Sequence, residues 1–322
     1  MRLPVHTPYK HGEGGVKVGL EPIAVSNWLE IDDLFESEIV QKKGLYESHH
    51  DEVYQEAPES TESQSELLII LKSHLEQYHP DHKPNYNNEP SPLKNASLMI
   101  QEDLVLMLPK DDEYYLGAAS LCAPSNWSLK EKFNKPLIKV HEFVPSYAEK
   151  IGSKVNNFFS NLPKERIFQR FNWSIYEDSA LFQPAKSKSQ IERSKSITKE
   201  NAGSSLFIRV ERQTIRRLPS TLSIAFTIRV HVDPLSSIRN NLSLLADLKL
   251  AVMNLDDDMK RYKSIDQIEV PLRGWLEKEI KNLGLGADVV SKGEMMKALK
   301  AGIKTKKIVF NSNWTLSQFT KG

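Results

Sequence analysis

Residues 206–235 read LFIRVERQTIRRLPSTLSIAFTIRVHVDPL, and this stretch decides the fold. The apolar positions of its second half recur at every second residue: Ile224, Phe226, Ile228, Val230 and Val232. A period of two is typical of a half-buried β-strand. A proline and two small polar residues at 219–221 interrupt the pattern and favour a turn. The stretch therefore predicts a β-hairpin with one apolar face directed at a core.

The same hairpin carries many charged side chains. We predict that one polar face holds the following residues: Arg209, Glu211, Gln213, Arg229 and His231. One interpretation is the solvated face of an antiparallel sheet, where opposite charges on neighbouring strands stabilise modestly. The other is a binding site for an anionic or polar ligand. It is favoured by four arginines within nine residues, because arginine holds carboxylates and phosphates in a fixed geometry.

Composition limits the classes of protein to which this chain can belong. The 43 basic and 42 acidic side chains nearly cancel, so bulk charge indicates neither a nucleic-acid partner nor a membrane surface. No apolar run approaches the roughly 20 residues needed to span a bilayer. Cys122 is the single cysteine, which excludes a disulfide framework and favours a reducing compartment. We therefore expect a cytoplasmic protein.

The rest of the chain mixes helical and strand patterns. Apolar residues at helical spacing predict helices in these ranges: 26–43, 67–78, 129–133, 144–162, 235–255, 256–262 and 272–283. Short apolar runs predict further strands at 104–108, 114–120 and 166–175. Residues 185–205 are rich in serine and lysine and predict a surface loop. Together these patterns predict a protein of mixed helices and strands with an arginine-rich sheet face.

Six short blocks appear in a fixed order along the chain. They are NWLEID from residue 27, LCAPSNWSLKEKFNKPL from 121, VHEFVPSYAEK from 140, RFNWSIYEDSALFQP from 170, LFIRVERQTIRRLP from 206 and FTIRVHVDPL from 226. Over residues 16–279 this series resembles the haem-binding subunit of haem-dependent oxidative N-demethylases.

The resemblance implies an α+β fold, a PAS-like antiparallel sheet with surrounding helices, that holds haem b. It implies electrons from reductase subunits with flavin and an iron–sulfur centre, and dioxygen activated at the iron. A small secondary amine such as dimethylamine would be oxidised at a methyl group, and the carbinolamine would give amine and formaldehyde. An alternative is a non-catalytic haem-binding sensor or carrier of the same fold. Another is a relative that has lost haem.

Haem iron needs an axial donor, commonly histidine, cysteine or tyrosine. His141 lies inside the block VHEFVP, and we predict it as the ligand. The alternative for His141 is a structural histidine that bonds the backbone of a tight connector. His231 is the second candidate for the axial position.

The haem propionates need cations, which we predict to be Arg209, Arg212, Arg216, Arg217 and Arg229. Trp173 is predicted to pack on the porphyrin. Glu211 lies among the arginines and is predicted as the catalytic residue, which would bind the ammonium group of the amine or relay protons to bound oxygen. The alternative is that Glu211 only neutralises arginines.

The last part of the chain has a different character. Residues 283–313 resemble a strand–helix–strand piece from the barrel domain of diaminopimelate decarboxylases. One such unit cannot close a barrel, so we expect no decarboxylase activity. We predict three segments: a flexible lead at 1–16, a single haem-binding domain at 17–282, and an appended tail at 283–322 with a loosely docked helix around 293–301.

Overall fold

The computed structural model describes residues 2–13, 19–84, 89–111, 113–142, 153–185, 187–283, 287–289, 292–300, 302 and 308–310. The strands in these ranges are β1 Glu21–Ile23, β2 Tyr54–Glu56, β3 Asp103–Lys110, β4 Glu113–Ser120, β5 Ile167–Tyr176, β6 Phe207–Arg217, β7 Ile224–Pro234, β8 Ala287–Val289 and β9 Ile308–Phe310. The first seven form an antiparallel sheet in the order β1-β5-β6-β7-β3-β4-β2, and β8 pairs with β9 in parallel. The predicted hairpin is therefore the β6–β7 pair at the centre of the large sheet.

Helices surround the sheet, which confirms the α+β fold. They are α1 Phe35–Ser48, α2 His50–Val53, α3 Thr61–Tyr78, α4 Pro92–Ser97, α5 Leu129–Lys132, α6 Leu137–Val140, α7 Ser153–Ser160, α8 Lys188–Ser196, α9 Ala202–Ser205, α10 Leu242–Met253, α11 Asp257–Tyr262, α12 Glu269–Asn282 and α13 Lys292–Lys300. Short 3-10 turns occur at Lys10–Gly12, Val25–Asn27, Pro58–Ser60 and Leu235–Ile238. Within the described ranges, no helix has the length and apolar character to cross a membrane.

Capping side chains explain where two sequence predictions differ from the structure. The predicted loop at 185–205 contains α8, because Ser187 and Gln190 form a reciprocal capping box that starts this helix. The single helix predicted for 235–255 is instead a 3-10 turn followed by α10. Asn241 separates the two by accepting a hydrogen bond from the Leu244 amide at 3.0 Å, which sets the start of α10.

The register of the β6–β7 hairpin corrects the prediction of one polar face. Arg212 pairs with Arg229, and Val210 pairs with His231. Paired residues on neighbouring strands project to the same side of a sheet. We call face A the side with odd-numbered β6 residues and even-numbered β5 and β7 residues, and face B the opposite side. Glu211 is therefore on face A, whereas His231 is on face B.

The physical reason for the correction is the length of the turn. Arg217 and Ile224 are the last pair, so residues 218–223 form the connection, and their number is even. An even connection pairs odd positions of one strand with even positions of the next. Alternation within each strand was predicted correctly, but it does not determine how the two strands are aligned.

Three apolar clusters hold the sheet. On face B, one cluster joins Ile208 and Val210 to Trp275 of α12, and a second joins Trp28 to Leu71 of α3. On face A, a third cluster combines residues of β3, β4, β6 and β7 with side chains from α5, α6 and α7. The helices thus cover both faces, and the central strands are buried on each side.

The tail contains the helix predicted around 293–301, which is observed as α13. It packs near α10, where Lys297 Nζ lies 3.4 Å from Asp247 Oδ1. The N-terminal half of the helix predicted for 144–162 lies outside the described residues, and its C-terminal half is α7. The division of the chain into 1–16, 17–282 and 283–322 stays a prediction.

His74 is a buried histidine in α3 that lies outside any candidate site. It is 3% exposed, and within the described residues neither ring nitrogen has a hydrogen-bond partner. Its ring meets Trp28 edge-on at 5.2 Å and also faces Tyr78 and His79. Burial, together with the charges of His79 and Arg216, lowers the pKa of His74 to about 4. His74 is therefore neutral at pH 7.

We expect His74→Leu to remove part of the acid sensitivity of the fold. Below the unfolded pKa of about 6.5, the unfolded chain takes up a proton that folded His74 does not accept until about pH 4. The wild-type protein should therefore lose on the order of 3 kcal/mol between pH 6.5 and 4 through this residue. Urea denaturation at several pH values measures the effect, with the exposed His50→Leu as control. Parallel pH profiles of wild type and His74→Leu would contradict it.

Candidate functional site

Glu211 is a buried carboxylate at the middle of the sheet. It lies on face A of β6 with 9% of its surface exposed. Its Oε2 accepts a hydrogen bond from Gln213 Nε2 at 2.8 Å and a longer one from Asn172 Nδ2 at 3.4 Å. Carboxylates are seldom buried without partners, because removing the charge from water is costly. The environment of Glu211 must therefore supply positive charge.

Lys263, which follows α11, supplies one such charge. Its buried Nζ donates to Asn172 Oδ1 at 2.8 Å and to the Trp173 carbonyl. Burial lowers the pKa of Lys263 to about 8, Glu211 acts in the opposite direction, and Arg170 adds to the decrease. Asn172 thus links the ammonium group to the carboxylate. Glu211, Asn172 and Lys263 form a connected network that can hold a proton close to neutral pH.

Tyr176 lies on face A of β5 and interacts electrostatically with Glu211. Burial raises the pKa of its phenol well above the usual range, Arg209 opposes this effect, and Glu211 and Tyr262 add to it. The phenol therefore stays protonated, and Asn126 Nδ2 donates to its oxygen at 3.1 Å. Tyr176 is a neutral group beside Glu211, so the carboxylate has polar neighbours on several sides.

His141 follows α6 and is half-buried. Its Nδ1 lies 3.1 Å from the Leu137 carbonyl oxygen, which can only accept. Nδ1 therefore carries the hydrogen, and Nε2 has the lone pair that a metal would bind. Burial lowers the pKa of His141 to about 4. The charges of Arg170 and Lys132 contribute to this decrease, and the hydrogen bond to Leu137 opposes it. The ring is neutral at pH 7.

Arg170 interacts electrostatically both with His141 and with Lys263 of the Glu211 network. This face A residue of β5 pairs with Gln213, and its charge lowers the pKa of both His141 and Lys263. The described parts of the chain therefore bring His141 and Glu211 to the same side of the sheet. Arg170 was not among the predicted site residues, although it begins one of the six blocks.

Half-buried aromatic side chains line face A around these polar groups. The apolar cluster on this side has partly exposed members from α7, β5, β7 and the segments next to α5: Trp127, Phe133, Phe158, Phe168 and Phe226. Phe158 and Phe168 meet edge-on at 5.6 Å. Apolar and aromatic walls with a few placed polar groups are typical of small-molecule and cofactor sites. Face A is therefore the candidate functional site.

Two of the predicted arginines lie on face A and contact other parts of the chain. Arg209 is 1% exposed, and its Nε donates to Ser125 Oγ at 2.9 Å. Its Nη atoms donate to four backbone carbonyls, those of Ala123, Pro124, Ala180 and Leu181. Arg217 Nη1 donates to the Ser160 carbonyl at 2.8 Å. A propionate would have to compete with these acceptors, and a propionate contact stays a prediction for both residues.

The other three predicted arginines lie on face B. Arg212 donates to the carbonyls of Asn27 and Trp28 and to Gln169 Oε1. The Arg216 guanidinium lies over the Trp28 ring, 4.6 Å from its centroid. Arg229 pairs with two carboxylates, at 2.7 Å from Asp32 Oδ2 and 2.9 Å from Glu38 Oε2. The sheet separates these arginines from Glu211.

Trp173 also projects to face B, because it pairs with Val210. It is buried, and its Nε1 donates to the Glu13 carbonyl at 3.2 Å. Lys263 Nζ lies 5.2 Å from the centroid of the indole, so Trp173 supports the Glu211 network through this lysine. Packing of Trp173 against a porphyrin stays a prediction.

A second polar cluster occurs on face B around Glu30. Its carboxylate lies 2.8 Å from His6 Nε2, 2.9 Å from His231 Nε2 and 3.4 Å from Arg212 Nε. Burial alone would raise the pKa of Glu30, but hydrogen bonds from both histidines and the charge of Arg212 lower it far below its usual range. Sequence reasoning identified His231 but missed His6 and Glu30. Glu30 lies in the block NWLEID, whereas His6 has no sequence signal.

The sequence of the chain matches a known family. A family model described as haem-dependent oxidative N-demethylase, alpha subunit-like, matches residues 19–88 and 81–272. This match includes β1 to β7 and, with them, Glu211 and His141. It confirms the family resemblance that the six sequence blocks indicated. The resemblance of residues 283–313 to a decarboxylase fragment stays a prediction.

Proposed function

Since the chain belongs to the family of haem-dependent oxidative N-demethylase, alpha subunit-like proteins, we propose that it holds a b-type haem on face A and removes a methyl group from a small secondary amine. The observation that carries this proposal is the setting of His141. Its imidazole is neutral and bonds the Leu137 carbonyl through Nδ1, which is the usual arrangement of a metal-bound histidine, and half-buried aromatic side chains lie on the same face of the sheet.

The residues present fit the group. An axial histidine commonly donates its other ring hydrogen to a backbone carbonyl, as His141 does to Leu137. Bound haem would supply the activation of dioxygen. In the proposal His141 would hold the iron, and Arg170, whose charge acts on His141, would pair with a propionate. Arg209 would take part only if a propionate replaced one of its carbonyl acceptors.

Glu211 gives the proposed reaction its specificity for amines. A buried carboxylate attracts the ammonium form of a secondary methylamine, and the surrounding aromatic side chains accommodate its methyl groups. Asn172 and Lys263 link Glu211 to a group whose pKa of about 8 allows proton exchange near neutral pH. Dimethylamine is the substrate we propose.

The alpha subunit-like description supports a multisubunit oxygenase. We propose that reductase subunits with flavin and an iron–sulfur centre deliver the electrons. The alternative is a haem-binding sensor or carrier of the same fold without turnover. The difference between the two lies in Glu211: a carrier has no need of a buried carboxylate linked to an ammonium group.

The proposal is tested by titrating the full-length protein with haem and recording the absorption spectrum. We expect a Soret band that saturates at one haem per chain. Absence of saturable binding would refute the cofactor. Dimethylamine-dependent oxygen consumption with a reductase system, accompanied by formaldehyde release, then separates the oxygenase from the sensor or carrier. Haem binding without turnover would favour the latter.

We expect Glu211→Gln to reduce amine turnover by roughly 100-fold while haem affinity changes less than twofold. The substitution keeps the shape and the hydrogen bond to Asn172 but removes the charge that binds ammonium and exchanges protons. Formaldehyde release and the Soret titration are measured on the same samples, with the exposed Glu192→Gln as control. Loss of haem from Glu211→Gln would instead assign this residue a structural role.

A further inference from the structure

We propose that His6, Glu30 and His231 form a binding site for one divalent transition-metal ion, separate from the candidate haem site. One ligand atom from each of the three residues lies within 4.8 Å of the other two. Two imidazoles and one carboxylate are a donor set typical of zinc and non-haem iron. The three residues come from the N-terminal segment, the stretch before α1, and β7.

The geometry requires only small movements to bind an ion. Metal–ligand bonds of about 2.0–2.2 Å place neighbouring ligand atoms roughly 3 Å apart. The two contacts of Glu30 have this separation, one through each carboxylate oxygen: Oε1 lies 2.8 Å from His6 Nε2, and Oε2 lies 2.9 Å from His231 Nε2. The imidazole rings are 5.1 Å apart with an interplanar angle of 68°. The ligand atoms of the two histidines lie within 4.8 Å of each other, and a bound ion would draw them to about 3 Å to complete three-fold coordination.

The surroundings hold these side chains in place. The Glu30 amide donates to Glu102 Oε1 at 2.8 Å, which fixes the backbone that presents the carboxylate. The His6 ring packs at 4.8 Å from Phe171 of β5. Asp233 is two residues after His231 on the same face and acts electrostatically on both histidines.

Arg212 is the group that opposes a cation here. Its Nε lies 3.4 Å from Glu30 Oε1. The guanidinium nevertheless has three other acceptors, Gln169 Oε1 and the carbonyls of Asn27 and Trp28. It therefore does not depend on Glu30. A divalent ion can therefore displace the Glu30 contact of Arg212 without leaving the guanidinium unpaired.

The test is a cobalt titration of the untagged full-length protein after treatment with a chelator. We expect visible d–d absorption that saturates at one Co²⁺ per chain and disappears when Zn²⁺ is added. Glu30→Gln and His231→Gln should each weaken binding at least tenfold. His50→Gln is the matched control, because His50 forms a similar pair with Asp51 at the surface. Equal affinity in all variants, or no saturation at one equivalent, would overturn the proposal.

Two further measurements keep the result decisive. If circular dichroism shows that His231→Gln does not fold, His6→Gln decides, because its residue lies in the N-terminal segment outside the sheet. The titration is repeated on haem-loaded protein, with bound cobalt measured by equilibrium dialysis because haem absorbs in the region of the d–d bands. Unchanged cobalt binding supports a separate site, whereas loss of cobalt binding would assign the histidines to haem and overturn the proposal.

Discussion

Arg229→Met is expected to lower the free energy of unfolding by about 4 kcal/mol. The guanidinium is 1% exposed and donates to Asp32, Glu38 and the Val230 carbonyl. Glu38 is itself buried, so the substitution leaves its charge without the cation that compensates it. Removing one partner of a buried ion pair is far more destabilising than replacing the whole pair by apolar residues, because the remaining charge stays desolvated.

The pH dependence identifies the cause of the Arg229→Met effect. Burial raises the pKa of Asp32, but Gln101, Arg229 and the Leu34 amide together lower it below its usual value. A carboxyl group with a lowered folded pKa stabilises the fold above its unfolded pKa, and this contribution is lost as the pH falls. The difference in the free energy of unfolding between wild type and Arg229→Met should therefore be largest at pH 7 and decrease below about pH 4.

Urea denaturation measures the prediction, with Arg239→Met as the matched control. Arg239 forms a half-exposed pair with Glu279 at 3.5 Å, and such pairs contribute about 1 kcal/mol or less. Adding Glu38→Gln to Arg229→Met should restore part of the loss. The outcome that contradicts the prediction is unchanged stability with weaker haem binding, which would assign Arg229 to a propionate as its sequence position suggested.

The hairpin shows how far the sequence determines this fold. Alternation in residues 206–235 was enough to predict two strands, whereas the α+β fold was predicted from the family resemblance. Which side chains share a face depends on the alignment of β6 and β7, and the even number of turn residues decides that alignment. A difference of one residue in the turn would place Arg229 beside Glu211.

The candidate site was predictable only in part, and the reason is the kind of contact that each residue makes. His141 and Glu211 lie in blocks that the family match includes, so both residues could be selected by sequence comparison. The guanidinium of Arg209 is bound by backbone carbonyls, which leave no trace in the sequence. His6 and Glu30 are 24 residues apart and meet His231 about 200 residues later, so only the fold brings them together.

His141→Ala is expected to weaken haem binding by more than about 100-fold. Loss of a partner that merely orients a metal-bound histidine costs about 10–100-fold, and loss of the ligand itself should exceed that. The Soret titration of the full-length protein measures the change. His82→Ala is the matched control, because His82 is half-buried and its Nε2 bonds the Met99 carbonyl at 2.9 Å, the same kind of contact that His141 makes with Leu137.

His141→Ala also separates the two roles that this histidine was predicted to have. A histidine that only bonds the backbone of its connector contributes stability but no iron ligand, so alanine would lower the melting temperature and leave the haem spectrum unchanged. If His141 is the axial ligand, its removal leaves an empty coordination position at the iron. Added imidazole should then restore the Soret band, because it supplies the missing nitrogen. His231→Ala tests the second candidate for the axial ligand. If it removes the band while His141→Ala retains it, the axial ligand is on face B, and the proposed position of the haem is wrong.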